Sequence, residues 1–146
     1  MSGDVPKGIP VIHSESIVVE TRGRGLLDIT ERIATCVART EVDVGLASLF
    51  LRHTSASLLI TENADPAVLR DLERWLDALA PEHRGYEHDD EGPDDMPAHL
   101  KAAITRTQEQ IPIRGGAMLL GTWQGIYVWE HRRVPHRREI VVTILG

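Results

Sequence analysis

At 146 residues the chain has the length of one domain with a buried core. Its 42% hydrophobic and 26% charged composition is that of a globular protein. The net charge of −6 argues against broad nucleic-acid binding, which needs a basic surface, and the single cysteine excludes an intrachain disulfide or a CxxC metal site.

The opening MSGDVPKGIP lacks the basic start and apolar run of a signal peptide. No apolar segment approaches the ~20 residues of a bilayer span. The expectation is a cytoplasmic protein with no membrane contact. Residues 1–146 read as a single domain, with 1–9 a loose N-terminal segment.

VIHSESIVVET, residues 11–21, is β-branched and strand-like, and GRG at 23–25 breaks it. In DITERIATCVART, Asp28 and Glu31 have capping-box spacing, and Ile29, Ile33, Cys36 and Val37 share one helical face. Cys36 is therefore read as a core residue. GLASLFLRHTSASLLITEN reads as two strands joined around HTSAS, or as one long bent strand.

Asp65-Pro66 marks a helix start, with Asp as N-cap and Pro in the first helical position. Val68, Leu72, Trp75, Leu76 and Leu79 then form its apolar stripe, and Pro81 ends it. A third helix is expected to open at Pro97, with Leu100, Ala103, Ile104 and Thr107 facing inward. IPIRGGAMLLGTWQGIYVWEHRR reads as strands punctuated by glycines. REIVVTILG is a closing strand with Ile140, Val142 and Ile144 on one side. Strands with about three helices inserted between them indicate an α+β fold.

Between the second and third helices, YEHDDEGPDDMPAHLK sets six carboxylates around His88 and His99, while HRRVPHRR at 131–138 is strongly basic. Part of the basic segment is expected to meet the acidic loop or an anionic ligand. A neutral His99 near a helix start suits metal binding, because the helix dipole opposes protonation there. His53 is either a core histidine or a site residue facing a cleft, with the small hydroxyls Thr54, Ser55 and Ser57 beside it. Together His53, His88 and His99 would supply the three protein ligands of an open zinc site. Glu130 is a candidate general base or orienting carboxylate, or else a strand-end residue paired with an arginine. Arg137 and Arg138 are candidates to grip a phosphate through bidentate hydrogen bonds.

The ordered set HTSASLLITENADP, HDDEGPDDMPAH, GTWQGIYVWEHRR and RREIVV resembles the YjbQ family from about residue 10 to the C-terminus. The resemblance implies a compact β-sandwich-like α+β domain that assembles as a homotrimer. It places the site at His53, His88 and His99, with Thr122, Trp123 and Gln124 as the matched segment and Glu130 downstream. The family arginine falls on Arg137 or Arg138. Asp95 stands where relatives often carry Asn, an added carboxylate bearing on metal preference.

The activity usually attached to the family is a secondary thiamine-phosphate synthase reaction. In it, hydroxymethylpyrimidine diphosphate joins a thiazole phosphate and releases pyrophosphate. The expectation is thus an enzyme acting on a phosphorylated small molecule, with a divalent ion as cofactor. Zinc is the first choice, and magnesium the alternative for a diphosphate substrate. Two other readings remain: a non-catalytic metal or phosphometabolite-binding protein, and a metal-dependent hydrolase in which Glu130 or Asp95 activates water.

Overall fold

The computed structural model describes residues 9–146. The expected loose segment therefore lies outside the described residues, except for exposed Ile9. In chain order come β1 (Ile12–Glu20), β2 (Gly25–Asp28), α1 (Thr30–Thr40), β3 (Gly45–Leu51), β4 (Ala56–Glu62), α2 (Pro66–Leu79) and α3 (Asp95–Ile104). After them come β5 (Gln108–Arg114), β6 (Ala117–Met118), β7 (Gln124–Glu130) and β8 (Arg137–Leu145).

The strands form two antiparallel sheets, one ordered β1-β8-β3-β5-β6 and the other β2-β7-β4. Period-two alternation decides which side chains enter the space between them. Thus β8 turns Ile140, Val142 and Ile144 inward, and β5 turns in Ile111 and Ile113. From the smaller sheet come Ala56, Leu58, Ile126 and Val128, and α1 adds Ile33, Cys36 and Val37 to the same core, with Ile29 at its N-cap position. This is a mixed α+β fold with two packed antiparallel sheets and three inserted helices. No helix among the described residues is long and apolar enough to cross a membrane.

Strand β7 departs from alternation because both its faces are covered. Ile126 and Val128 enter the core, while Trp129 turns toward α2 and donates its indole N–H to Glu73 at 2.5 Å. Asp65 caps α2 as expected, its carboxylate accepting from the Ala67 amide at 2.9 Å. The apolar stripe of α2 is less buried than its spacing suggests. Leu76 is inside, but Trp75 and Leu79 remain exposed.

The third helix begins at Asp95 and not at Pro97, which puts His99 in the second turn. Pro97 sits in the first turn, where its missing N–H has no intrahelical acceptor to lose. Its buried face also differs from the expected one. Asp95, Pro97, Ala98 and Lys101 are inside, whereas Ala103, Ile104 and Thr107 are exposed. The inward side of α3 carries polar side chains that bond across to neighbouring elements, so apolar spacing alone misplaces it.

Two crossings create the ground for a site. The chain leaves the larger sheet at Leu51 and enters the smaller one at Ala56, so 52–55 forms a corner between sheets. It makes the reverse crossing between the end of β7 and the start of β8. Ala56 pairs with Glu130, bringing both crossings together. Gly23 lets the β1–β2 turn lie against the second one: at φ +133°, a Cβ there would stand 2.7 Å from the Arg133 carbonyl oxygen.

Candidate metal centre and its surroundings

Helix geometry places residues four apart on one face, so Asp95 and His99 project side by side from α3. The acidic loop brings His88 to meet them. His88 Nε2 lies 2.7 Å from Asp95 Oδ2, and His99 Nε2 lies 3.3 Å from the same oxygen. One donor atom from each of the three residues falls within 4.8 Å of the others. Ligands bound at ~2.0–2.1 Å in a tetrahedron are separated by roughly 3.3 Å, so these spacings need little adjustment.

The surroundings orient two of the donors. His99 Nδ1–H donates to the Thr54 carbonyl oxygen at 3.1 Å, which leaves the Nε2 lone pair facing the group. Backbone carbonyls commonly hold metal-binding histidines in this way. Asp95 is buried, and its Oδ1 accepts from Arg132 Nη1 at 2.7 Å, leaving Oδ2 to the histidines. Arg132 also donates through Nε to Asp94 Oδ2 at 3.1 Å and through Nη2 to the Glu91 carbonyl at 2.9 Å. The expected meeting of basic segment and acidic loop thus occurs within one chain.

Burial pushes the Asp95 carboxyl upward, but the His88 hydrogen bond and the charges of His99 and Arg132 outweigh it, so its pKa is lowered. His88 is raised, chiefly by its hydrogen bond to Asp95. His88 is exposed and His99 half-buried, so the group opens to solvent.

His53 is not a member of this group. Its Nε2 accepts the Glu139 backbone N–H at 2.7 Å, and its Nδ1 lies 3.5 Å from Arg138 Nη1. Burial, followed by the Arg138 charge, lowers its pKa. Asp95 takes the third place that the sequence assigned to His53, because the 52–55 corner turns the ring toward β8. Thr54 enters through its carbonyl and not its hydroxyl.

The two arginines separate cleanly. Arg137 is exposed, while Arg138 is 3% exposed and Glu130 1%. Arg138 Nε donates to Glu130 Oε2 at 2.6 Å, and Nη2 donates to Oε1 at 2.5 Å. Nη2 also reaches the Ser55 hydroxyl at 2.9 Å. Glu130 is therefore committed to a buried ion pair and is not free to act as a base.

Thr122, Trp123 and Gln124 lie elsewhere. They belong to a turn closed by the Gln124 N–H donating to the Gly121 carbonyl at 3.0 Å, and Trp123 is 64% exposed. This turn precedes β7, whereas Glu130 ends it, so roughly 20 Å of strand separates them. Within one chain this segment does not join the histidines.

Sequence reasoning missed Arg132 and a buried relay around His131. His131 Nε2 is 2.8 Å from Ser57 Oγ, Ser57 contacts Thr105 Oγ1, and Thr105 donates to the Lys101 carbonyl at 2.7 Å. Following that chain of donation, His131 carries its proton on Nε2. Its buried Nδ1 has no partner among the described residues. Burial, then the nearby Lys101, Arg138 and Arg24 charges, lower its pKa to about 3. The available signal was the HRR run directly after the β7 pattern.

The profile of the UPF0047 protein YjbQ-like family matches residues 15–146. The chain belongs to the YjbQ family. A UPF0047 protein of Synechocystis is 50% identical over 135 residues, covering 92% of each chain. UPF0047 protein YjbQ of Escherichia coli O157:H7 is 39% identical over 92% of this chain and 98% of its own. Among solved structures, a YbjQ-like protein of unknown function from Sulfolobus solfataricus superposes with a TM-score of 0.87 at 25% identity, covering 94% of this chain and 99% of its own. A YjbQ/UPF0047 protein of Clostridium acetobutylicum gives 0.82 at 36% identity, covering 89% and 98%. In this YjbQ chain the arginine inside the fold is Arg138.

Proposed function

We propose that this YjbQ protein is a metal-dependent enzyme acting on a phosphorylated small molecule, with zinc held by His88 Nε2, His99 Nε2 and Asp95 Oδ2. The observation that carries the reading is the convergence of these three atoms while Thr54 and Arg132 occupy the opposite atoms of His99 and Asp95. Two imidazoles and a carboxylate suit zinc better than magnesium, which prefers oxygen ligands and retains waters. Three protein ligands with an open side are the arrangement of a catalytic ion and not of a closed structural one.

The specific reaction we favour is thiamine-phosphate synthase-like transfer. The carbon–oxygen bond of the pyrimidine diphosphate breaks, pyrophosphate leaves with the electron pair, and the thiazole nitrogen forms the new bond to carbon. A divalent ion would offset charge on the departing pyrophosphate. The chain's own contribution is to orient the ligand atoms through Thr54 and Arg132 and to leave the His88 side open.

A homotrimer is part of the same proposal. Across the outer face of the larger sheet, Ile12, Leu145, Leu46 and Pro112 stand in register on four strands. Ile12 and Leu145 are exposed, and an apolar row of this kind suits contact between copies. Elemental analysis of purified protein, followed by pyrophosphate-release assays of wild type and Asp95→Asn, tests the enzyme reading. One bound ion per chain and release that falls in the variant support it. Metal-free protein with wild-type turnover overturns it.

A further inference from the structure

The hydrogen bonds of His53 fix where its ring proton sits. A neutral imidazole has one donor and one acceptor nitrogen. His53 Nε2 accepts the Glu139 amide at 2.7 Å, so Nδ1 must carry the proton. Its neighbour at 3.5 Å is Arg138 Nη1, which can only donate. Two donors therefore face each other, and the 3.5 Å contact is not a hydrogen bond between them.

Arg138 has no slack elsewhere. Its Nε and Nη2 are consumed by Glu130 and Ser55, and Nη1 has no acceptor among the described residues. A guanidinium only 3% exposed does not ordinarily leave a nitrogen unsatisfied. His53 is half-buried, which gives this pair a route to the outside.

We propose that His53 Nδ1–H and Arg138 Nη1–H together form a seat for one oxygen of a phosphate or carboxylate group. The adjacent residue, Thr54, holds His99 in the three-residue group. The seat thus lies one residue along the chain from a support of the proposed metal ligands. Assigning it to the anionic end of the substrate rests on the enzyme reading above. The existence of the seat does not.

The test uses metal-free protein, which separates the two ideas. Nitrogen NMR of His53 is followed while inorganic phosphate, pyrophosphate or acetate is added at constant ionic strength, with calorimetry in parallel. We expect a protonated Nδ1 and a saturable shift on adding one of the anions. Phosphate or pyrophosphate without acetate would identify the source as a phosphoryl group, and acetate alone a carboxylate. His53→Ala should weaken binding by about tenfold or more, the effect of losing a hydrogen bond to a charged group. His53→Asn, which can keep a donor near the Nδ1 position, should bind more tightly than His53→Ala. His88→Ala should bind the anion as wild type does.

An unprotonated Nδ1 in wild type overturns the proposal. So does the absence of any saturable shift, since a water then satisfies both donors. Binding that survives His53→Ala but fails in His88→Ala also overturns it, by placing the anion at the metal group. Loss of metal-dependent turnover with anion binding intact would instead count against the enzyme reading alone.

Discussion

Arg132 Nη1 and Asp95 Oδ1 are joined at 2.7 Å, and that contact decides which oxygen of Asp95 faces the two histidines. Arg132 approaches from the β7–β8 crossing and Asp95 from the start of α3. Replacing Arg132 with lysine keeps one charge but loses the planar fork that also holds Asp94 and the Glu91 carbonyl. We expect Arg132→Lys to weaken zinc binding by about 10–100-fold, the usual cost of losing a group that orients a ligand. A competitive chelator titration measures this.

His88 is exposed, so its removal should affect the centre without opening a core cavity. His88→Ala should lose metal occupancy while retaining most of its resistance to urea. Ile33→Ala should do the opposite, costing about 2–5 kcal/mol because Ile33 is fully buried, with metal still bound in the folded fraction. Urea unfolding paired with elemental analysis separates the cases. A His88→Ala protein that keeps its metal would remove that residue from the ligand set.

The Glu130–Arg138 pair predicts a structural phenotype. Glu130→Gln removes the charge that compensates a buried guanidinium, and a broken buried pair typically costs about 3–5 kcal/mol. The variant should unfold at much lower urea concentration than wild type. Stability within about 0.5 kcal/mol of wild type would show that the pair does not carry this burden.

His131 predicts a pH dependence of stability. Its folded pKa is about 3, below the ordinary histidine value near 6.5. Between these values the unfolded chain binds a proton that the folded chain refuses. Stability is therefore fully present above about pH 6.5 and falls as pH drops toward 3, by about 1.4 kcal/mol per pH unit per proton. His53, also lowered, adds to the same slope, while the contribution of His88, raised, is complete below about pH 6.5 and is lost only as pH rises above that value. His131→Phe should flatten the slope between pH 6.5 and 5 in urea melts. An unchanged slope would assign it to other groups.

Local patterns determined much of this protein. The β8 alternation of Ile140, Val142 and Ile144, the α1 face of Ile33, Cys36 and Val37, and the Asp65-Pro66 helix start are all settled within a few residues. The signal is local because side-chain period and capping are properties of one segment. The four family motifs were equally legible, and so was the presence of His88 and His99 beside carboxylates.

Tertiary structure alone decided which side chains meet. It substituted Asp95 for His53 in the three-residue group, committed Glu130 to Arg138, chose Arg138 over Arg137 for the interior, and set the 121–124 turn at the far end of β7. The sheet-to-sheet crossings and the pairing of Ala56 with Glu130 make those choices. They juxtapose residues separated by dozens of positions in the chain. A motif names the residue types gathered at a site, but the direction of each ring and carboxylate depends on backbone partners elsewhere: Thr54 for His99, Glu139 for His53, and Arg132 for Asp95.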